Sequence, residues 1–172
     1  MLLILATMLA LDPPKTEMKV GQPVPSVDAL FADGNPYDPA HLKGKFILMT
    51  WWSADDEETR KHFAKLRELR KEFAKEKRLQ IVTIQLDGEF DDWLAFQEKQ
   101  PPLDPKHPTQ AFYSDSQWWQ AFHHPSTEAR RNPFRVGKKP TSFLISPDGK
   151  LAAMNVVDSK LREIVVKAIG KK

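Results

Sequence analysis

Four consecutive acids, Asp55-Asp56-Glu57-Glu58, follow an apolar run and precede Thr59-Arg60. Carboxylates grouped this tightly point to three kinds of chemistry. As hard oxygen ligands, Asp55, Asp56 and Glu58 would hold a divalent cation, with His107, His123 or His124 brought in from elsewhere. As a carboxylate pair they would do acid–base hydrolysis, which needs two acids in environments that push their pKa values apart. As a helix start they would neutralise the positive end of the helix dipole and cap its free N–H groups. Consecutive helical residues point in different directions, which works against a shared metal. Four adjacent acids at one exposed helix start also give no sign of two distinct environments. The helix start is therefore the favoured reading. Ser53 or Asp55 is the expected N-cap, and Asp55 and Glu58 have capping-box spacing.

The rest of the reactive inventory is short. His123-His124 is the one adjacent histidine pair, and neighbouring residues rarely ligate one ion without further partners. No Ser-His-Asp set is supported by a nucleophile elbow, and the 7 glycines form no phosphate loop. The chain has no cysteine, which excludes a disulfide, a thiolate nucleophile and a dithiol redox couple. No cofactor is implied. Lys and Arg are interleaved with Asp and Glu to a net charge of +3, so no stripe for nucleic acid exists. Two tryptophan pairs differ in kind. Trp51-Trp52 ends an apolar run and reads as core, whereas Trp118-Trp119 lies among Gln117, Gln120 and histidines, with Arg130, Arg131 and Arg135 beyond. That composition suits either a protein-contact patch or a loop packed on its own domain.

The elements that position these groups follow from periodicity. Phe46 to Trp52 is continuously apolar apart from Thr50, as in a strand buried on both faces. Phe63, Leu66, Leu69 and Phe73 recur at helical spacing behind the acids. Leu79 to Leu86 is a second core strand, and Glu89 to Gln100 a helix stopped by Pro101-Pro102. Strand, helix, strand, helix predicts parallel neighbours joined by right-handed crossovers. Val27 to Phe31 suits a short early strand. Residues 101–139 form an irregular, proline-bearing insert, with Ala111 to Tyr113 a short strand and Gln117 to Phe122 a helical turn. Thr141 to Ile145, the turn Ser146-Pro147-Asp148-Gly149 and Lys150 to Val157 form a β-hairpin. A last helix carries Leu161, Ile164, Val165, Ala168 and Ile169 on one face, capped by Asp158 or Ser159 and ended by Gly170. At 172 residues and 41% hydrophobic, the chain suits one α/β domain over residues 21–172, behind an N-terminal leader or tail, 1–20. Met1 to Leu11 is apolar but too short to span a bilayer, and it fits an export signal or an ordinary terminal segment.

Several short motifs in this order resemble the thioredoxin-like redoxins, closest to the TlpA-type thiol–disulfide oxidoreductases. They are Gly21-Gln22-Pro23-Val24-Pro25, Leu42-Lys43-Gly44-Lys45, Trp51-Trp52-Ser53-Ala54, Pro140-Thr141-Ser142-Phe143-Leu144-Ile145 and Pro147-Asp148-Gly149-Lys150. The resemblance implies a thioredoxin-like fold: a central mixed β-sheet flanked by helices, closing on a C-terminal β-hairpin and helix. It also implies a cis peptide bond before Pro140, beside the active helix, and an extracytoplasmic or periplasmic setting. Where the family carries Trp-Cys-x-x-Cys-Arg, this chain has Asp56 and Thr59 at the two cysteine positions, with Arg60 retained. The expectation is a redox-inactive domain that binds a protein or peptide through the former active-site groove, with Asp55, Glu58, Trp118, Trp119 and Pro140 as contacts. The alternative is a non-thiol, metal-assisted enzyme built on the acidic helix start.

Overall fold

The computed structural model describes residues 18–25, 27, 29–30, 43–53, 56–86, 90–99, 118–123, 134, 136 and 139–170. Its centre is the predicted apolar strand. β2 (Phe46–Trp52) pairs parallel with β3 (Leu79–Gln85) and antiparallel with β5 (Thr141–Ile145). The short β1 (Ala29–Leu30) and β4 (Trp118–His123) lie beyond β3, and β6 (Leu151–Val156) lies beyond β5. The six strands run in the order β1-β4-β3-β2-β5-β6.

Strand alternation divides the core into two layers. Leu48 and Trp52 face one side and pack with Leu144, Phe63, Leu66, Leu69 and Val165. Ile47, Met49 and Trp51 face the other, with Val82, Ile84, Phe143 and Ile145. The first layer is roofed by α1 (Glu58–Glu72) and α3 (Leu161–Ile169), whose apolar stripes are those read from the sequence. Trp52 meets Phe63 edge to face, with ring centroids 4.9 Å apart. α2 (Phe90–Lys99) follows β3 and buries Trp93 in the same layer. Gly170, at φ +69°, ends α3 in the left-handed conformation that a glycine cap adopts without strain. Among the described residues no helix is long and apolar enough to cross a membrane.

Four local expectations are corrected. Residues Trp118–His123 form a strand rather than a helical turn, because β3 offers a parallel ladder and tryptophan and phenylalanine suit a pleated surface. The stretch expected to be irregular thus supplies an inner strand and a buried Phe134, whose ring lies 4.6 Å from that of Phe143 and 5.6 Å from that of Trp51. The bond before Pro140 is trans, since no cis peptide occurs among the described residues. Trans is the lower-energy isomer even before proline, and the Lys139 carbonyl accepts from the Thr141 hydroxyl at 3.0 Å. Neither Asp158 nor Ser159 caps α3. They lie in a 3-10 turn (Asp158–Lys160), and Lys160, without a side-chain cap bond, precedes the helix. The fourth correction concerns the start of α1 and belongs with the site. Ala111 to Tyr113 and Met1 to Leu11 lie outside the described residues.

Candidate functional site

β2 runs on through Ser53 toward the acidic segment, and α1 does not start from Ser53 as its N-cap. Glu57 stands at the N-cap in helical conformation and makes no side-chain cap bond. Instead the Asp56 carboxylate accepts the Glu58 N–H at 2.9 Å, an Asx-type turn that satisfies one free donor. Glu58 pairs with Lys61 at 2.9 Å on the exposed face. Thr59 is buried, and its hydroxyl donates to the Ser53 carbonyl at 2.7 Å, tying the helix to the strand end. Asp56 and Glu58 are thus engaged locally, while Asp55 lies outside the described residues. No three His, Asp or Glu side chains converge as metal ligands among the described residues.

One turn further along α1 stands a residue that the sequence reading passed over. His62 is 2% exposed and faces inward between strands β2 and β5. Its Nδ1 bonds Asp158 in the 3-10 turn. Its Nε2 lies 3.2 Å from Ser142 Oγ and 3.4 Å from Thr50 Oγ1. Those two hydroxyls are 2.7 Å apart, on residues directly opposite in the β2–β5 register. One proton arrangement satisfies the whole column. With the ring's proton placed on Nδ1, His62 donates to Asp158. Ser142 donates to Nε2, and Thr50 donates to Ser142. The signal in the sequence was the stripe itself: Thr59, His62, Phe63, Leu66 and Leu69 recur at helical spacing, which turns a titratable ring inward.

By connectivity, Ser142, His62 and Asp158 match a nucleophile, base and orienting acid. A nucleophile must be reachable, however, and Ser142 and Thr50 are both fully buried. The column therefore fixes two strands, a helix and a turn to one another, and performs no acyl transfer in this geometry.

Above it a groove of about 420 Å³ opens at the helix start. Glu58 and His62 line it from α1, Lys139, Pro140 and Thr141 from the approach to β5, and Asn155 to Asp158 from the end of β6. Asn155 takes the left-handed conformation at φ 52°, and Val157 is 56% exposed. Of the residues expected at the site, Glu58 and Pro140 meet here. Thr59 packs beneath them. The backbone of Trp118 and Trp119 opens β4, three strand spacings from β5, or about 14 Å across the sheet. His123 closes β4 opposite Ala29, while His107 and His124 lie outside the described residues. A second concavity, about 250 Å³ and lined by Val24, Val27, Ile47, Met49 and Ile145, lies on the opposite face of the sheet.

A β-strand running into a helix start, with an antiparallel hairpin and terminal helix closing the same sheet, defines a thioredoxin-like fold. The AhpC/TSA family matches residues 20–154, well over half the sequence, and the chain belongs to that family. Solved structures agree on the fold. A thiol:disulfide interchange protein from Bacteroides sp. superposes with a TM-score of 0.68 at 23% identity, covering 90% of this chain and 93% of that one. The thioredoxin domain of a thiol-disulfide oxidoreductase from Bacteroides vulgatus gives 0.68 at 21%, covering 88% and 98%. A thioredoxin-family thiol:disulfide interchange protein from Chlorobium tepidum gives 0.61 at 19%, covering 90% and 100%. No curated protein sequence matches. The sequence holds no cysteine, so the thiol chemistry named for those neighbours has no thiol to act through here.

Proposed function

We propose that this domain is a redox-inactive member of its family that binds a protein or peptide segment in the groove between the α1 start, Pro140 and the Asn155–Asp158 wall. The observation that carries this reading is the groove itself. An open cleft of about 420 Å³ lies where the fold puts its chemistry, yet the positions that would hold sulfur are Asp56 and Thr59. Its wall has the mixed character of a recognition surface. Val157 offers exposed apolar area, Thr141 and Asn155 offer polar contacts, and Lys139, Glu58 and Asp158 bring charges of both signs. Asp56 is held in its own turn and Glu58 by Lys61, which leaves no catalytic duty visible in them.

The test is selection of displayed peptides on the immobilised domain, followed by mapping of the winners on its amide NMR spectrum. Enriched sequences should perturb Glu58, His62, Thr141 and Asn155 to Asp158, and Val157→Asp should weaken them at least tenfold. Winners that map away from the groove, or that bind Val157→Asp as tightly, would refute the reading. An insulin-reduction assay run in parallel should stay at the buffer rate.

A further inference from the structure

We propose that His62 is a proton-operated latch on the groove wall: its charge state decides how Asp158 and the turn behind it are held against α1. The arrangement is a buried ring bridging a polar column on one side and a half-exposed carboxylate on the other. Asp158 is 42% exposed at its side chain, lies in the wall of the groove and opens the turn that leads into α3. Among the described residues, His62 is the hydrogen-bond partner of its carboxylate, so the ring ties the wall to α1.

Histidine changes charge near neutral pH, and the bonds around this ring do not treat its two forms alike. Neutral, the ring donates once to Asp158 and accepts once from Ser142, and every hydroxyl hydrogen has an acceptor. Protonated, Nε2 also becomes a donor, and the Ser142 hydroxyl must turn to donate to Thr50. The Thr50 hydrogen then has no further acceptor within reach among the described residues. A buried donor left so is unfavourable. In exchange, the bond to Asp158 becomes a charge-assisted ion pair. One proton thus loosens the strand side of the ring, tightens its grip on the turn, and takes the His62–Asp158 pair from one negative charge to none.

Among the described residues, the charged groups that share the groove with the ring are Glu58 one turn earlier on α1, Lys139 at the approach to β5 and Asp158 in the 3-10 turn, which also holds Lys160; the strands present the neutral Thr50 and Ser142. Glu58, Lys139 and Asp158 all line the groove, so a partner there would feel the change. That consequence rests on the groove being the binding surface. The latch itself does not, and it is testable with no partner present.

The experiment is a pH titration of the isotope-labelled full chain over the range in which it stays folded, following the His62 ring and the backbone amides. In the wild type the amides of Asn155 to Asp158 and of Thr141 and Ser142 should move on the same curve as the ring. In Asp158→Asn, a half-exposed site at which folding is expected to survive, the turn amides should stop following the ring. His62→Gln, if it folds, should abolish the curve altogether. A ring with no transition in this range would overturn the proposal. So would a ring that titrates while the turn amides stay fixed, or turn amides that follow the same curve in Asp158→Asn. Each outcome is independent of whether any peptide binds.

Discussion

Replacing His62 by leucine tests the buried column most directly, because the change keeps roughly the bulk of the ring and removes both nitrogens. Asp158 is near enough to water to recover its lost bond from solvent, so its share of the penalty is small. Ser142 and Thr50 are fully buried and cannot. They still bond each other at 2.7 Å, but two hydroxyls sharing one bond leave one hydrogen without an acceptor. An orphaned buried donor costs about 1–3 kcal/mol, and repacking a branched side chain into a planar slot adds about 1 kcal/mol. His62→Leu should therefore lose about 2–4 kcal/mol in urea denaturation, with an unchanged dependence on denaturant concentration. The decisive comparison is the triple variant Thr50→Val, His62→Leu, Ser142→Ala. With every polar member gone, no orphan remains, and removing all partners of a network together can approach neutrality. The triple variant should be less destabilised than the sum of the three single changes by at least about 1 kcal/mol, the scale of coupling among contacting residues. Simple additivity, or a His62→Leu loss below about 0.5 kcal/mol, would show that the column is not a cooperative unit.

Two further outcomes follow from the same geometry. Asp56→Cys with Thr59→Cys places two thiols at a helix start, where the dipole favours a thiolate; the variant should reduce insulin with dithiothreitol, and a folded variant without this activity would mean that the lost motif is misaligned. In the β5–β6 turn, the Lys150 ammonium and then the Ser146 hydroxyl hold Asp148 down to about 2 from an ordinary 3.8. A depressed acid supports the fold fully above its unfolded value and loses that support as pH falls through its folded one. The turn amides of residues 146–150 should accordingly change between about pH 4 and pH 2, and Asp148→Asn should remove that transition; an Asp148 carboxyl that titrates near 4 would contradict the assignment.

The architecture was legible where burial imposes a period. β2, β3, the β5–β6 hairpin and the inner faces of α1 and α3 each bury one stripe or two full faces, and the sequence spells those stripes out. What was not legible depended on partners distant in sequence. Trp118–His123 has polar neighbours and no strong alternation, and its strand exists because the edge of β3 was open to it. The start of α1 was misplaced because several acids compete to cap one helix, and the backbone chose an Asx turn at Asp56. His62 was the largest omission. Its neighbours in sequence are Lys61 and Phe63, so it reads as a surface residue unless the stripe is followed with the ring included. Its partners Thr50, Ser142 and Asp158 lie 12, 80 and 96 residues away in the chain. No local pattern joins them; only the β2–β5 register and the fall of α1 across it do.

That column bears on how the helix tip is held in a chain without a thiol. The bonds there are Thr59 to Ser53, Asp56 to Glu58, and His62 to both strands and to the turn. The groove wall at Asp158 is thus tied to α1 directly through the buried ring. Asp158→Asn should disturb the amides from Asn155 to Asp158 whether or not the cleft is in use, because the bond it alters is present in the free domain. If the cleft is in use, the same exchange should also weaken a peptide seated on Val157, because one bond positions the wall on which both depend.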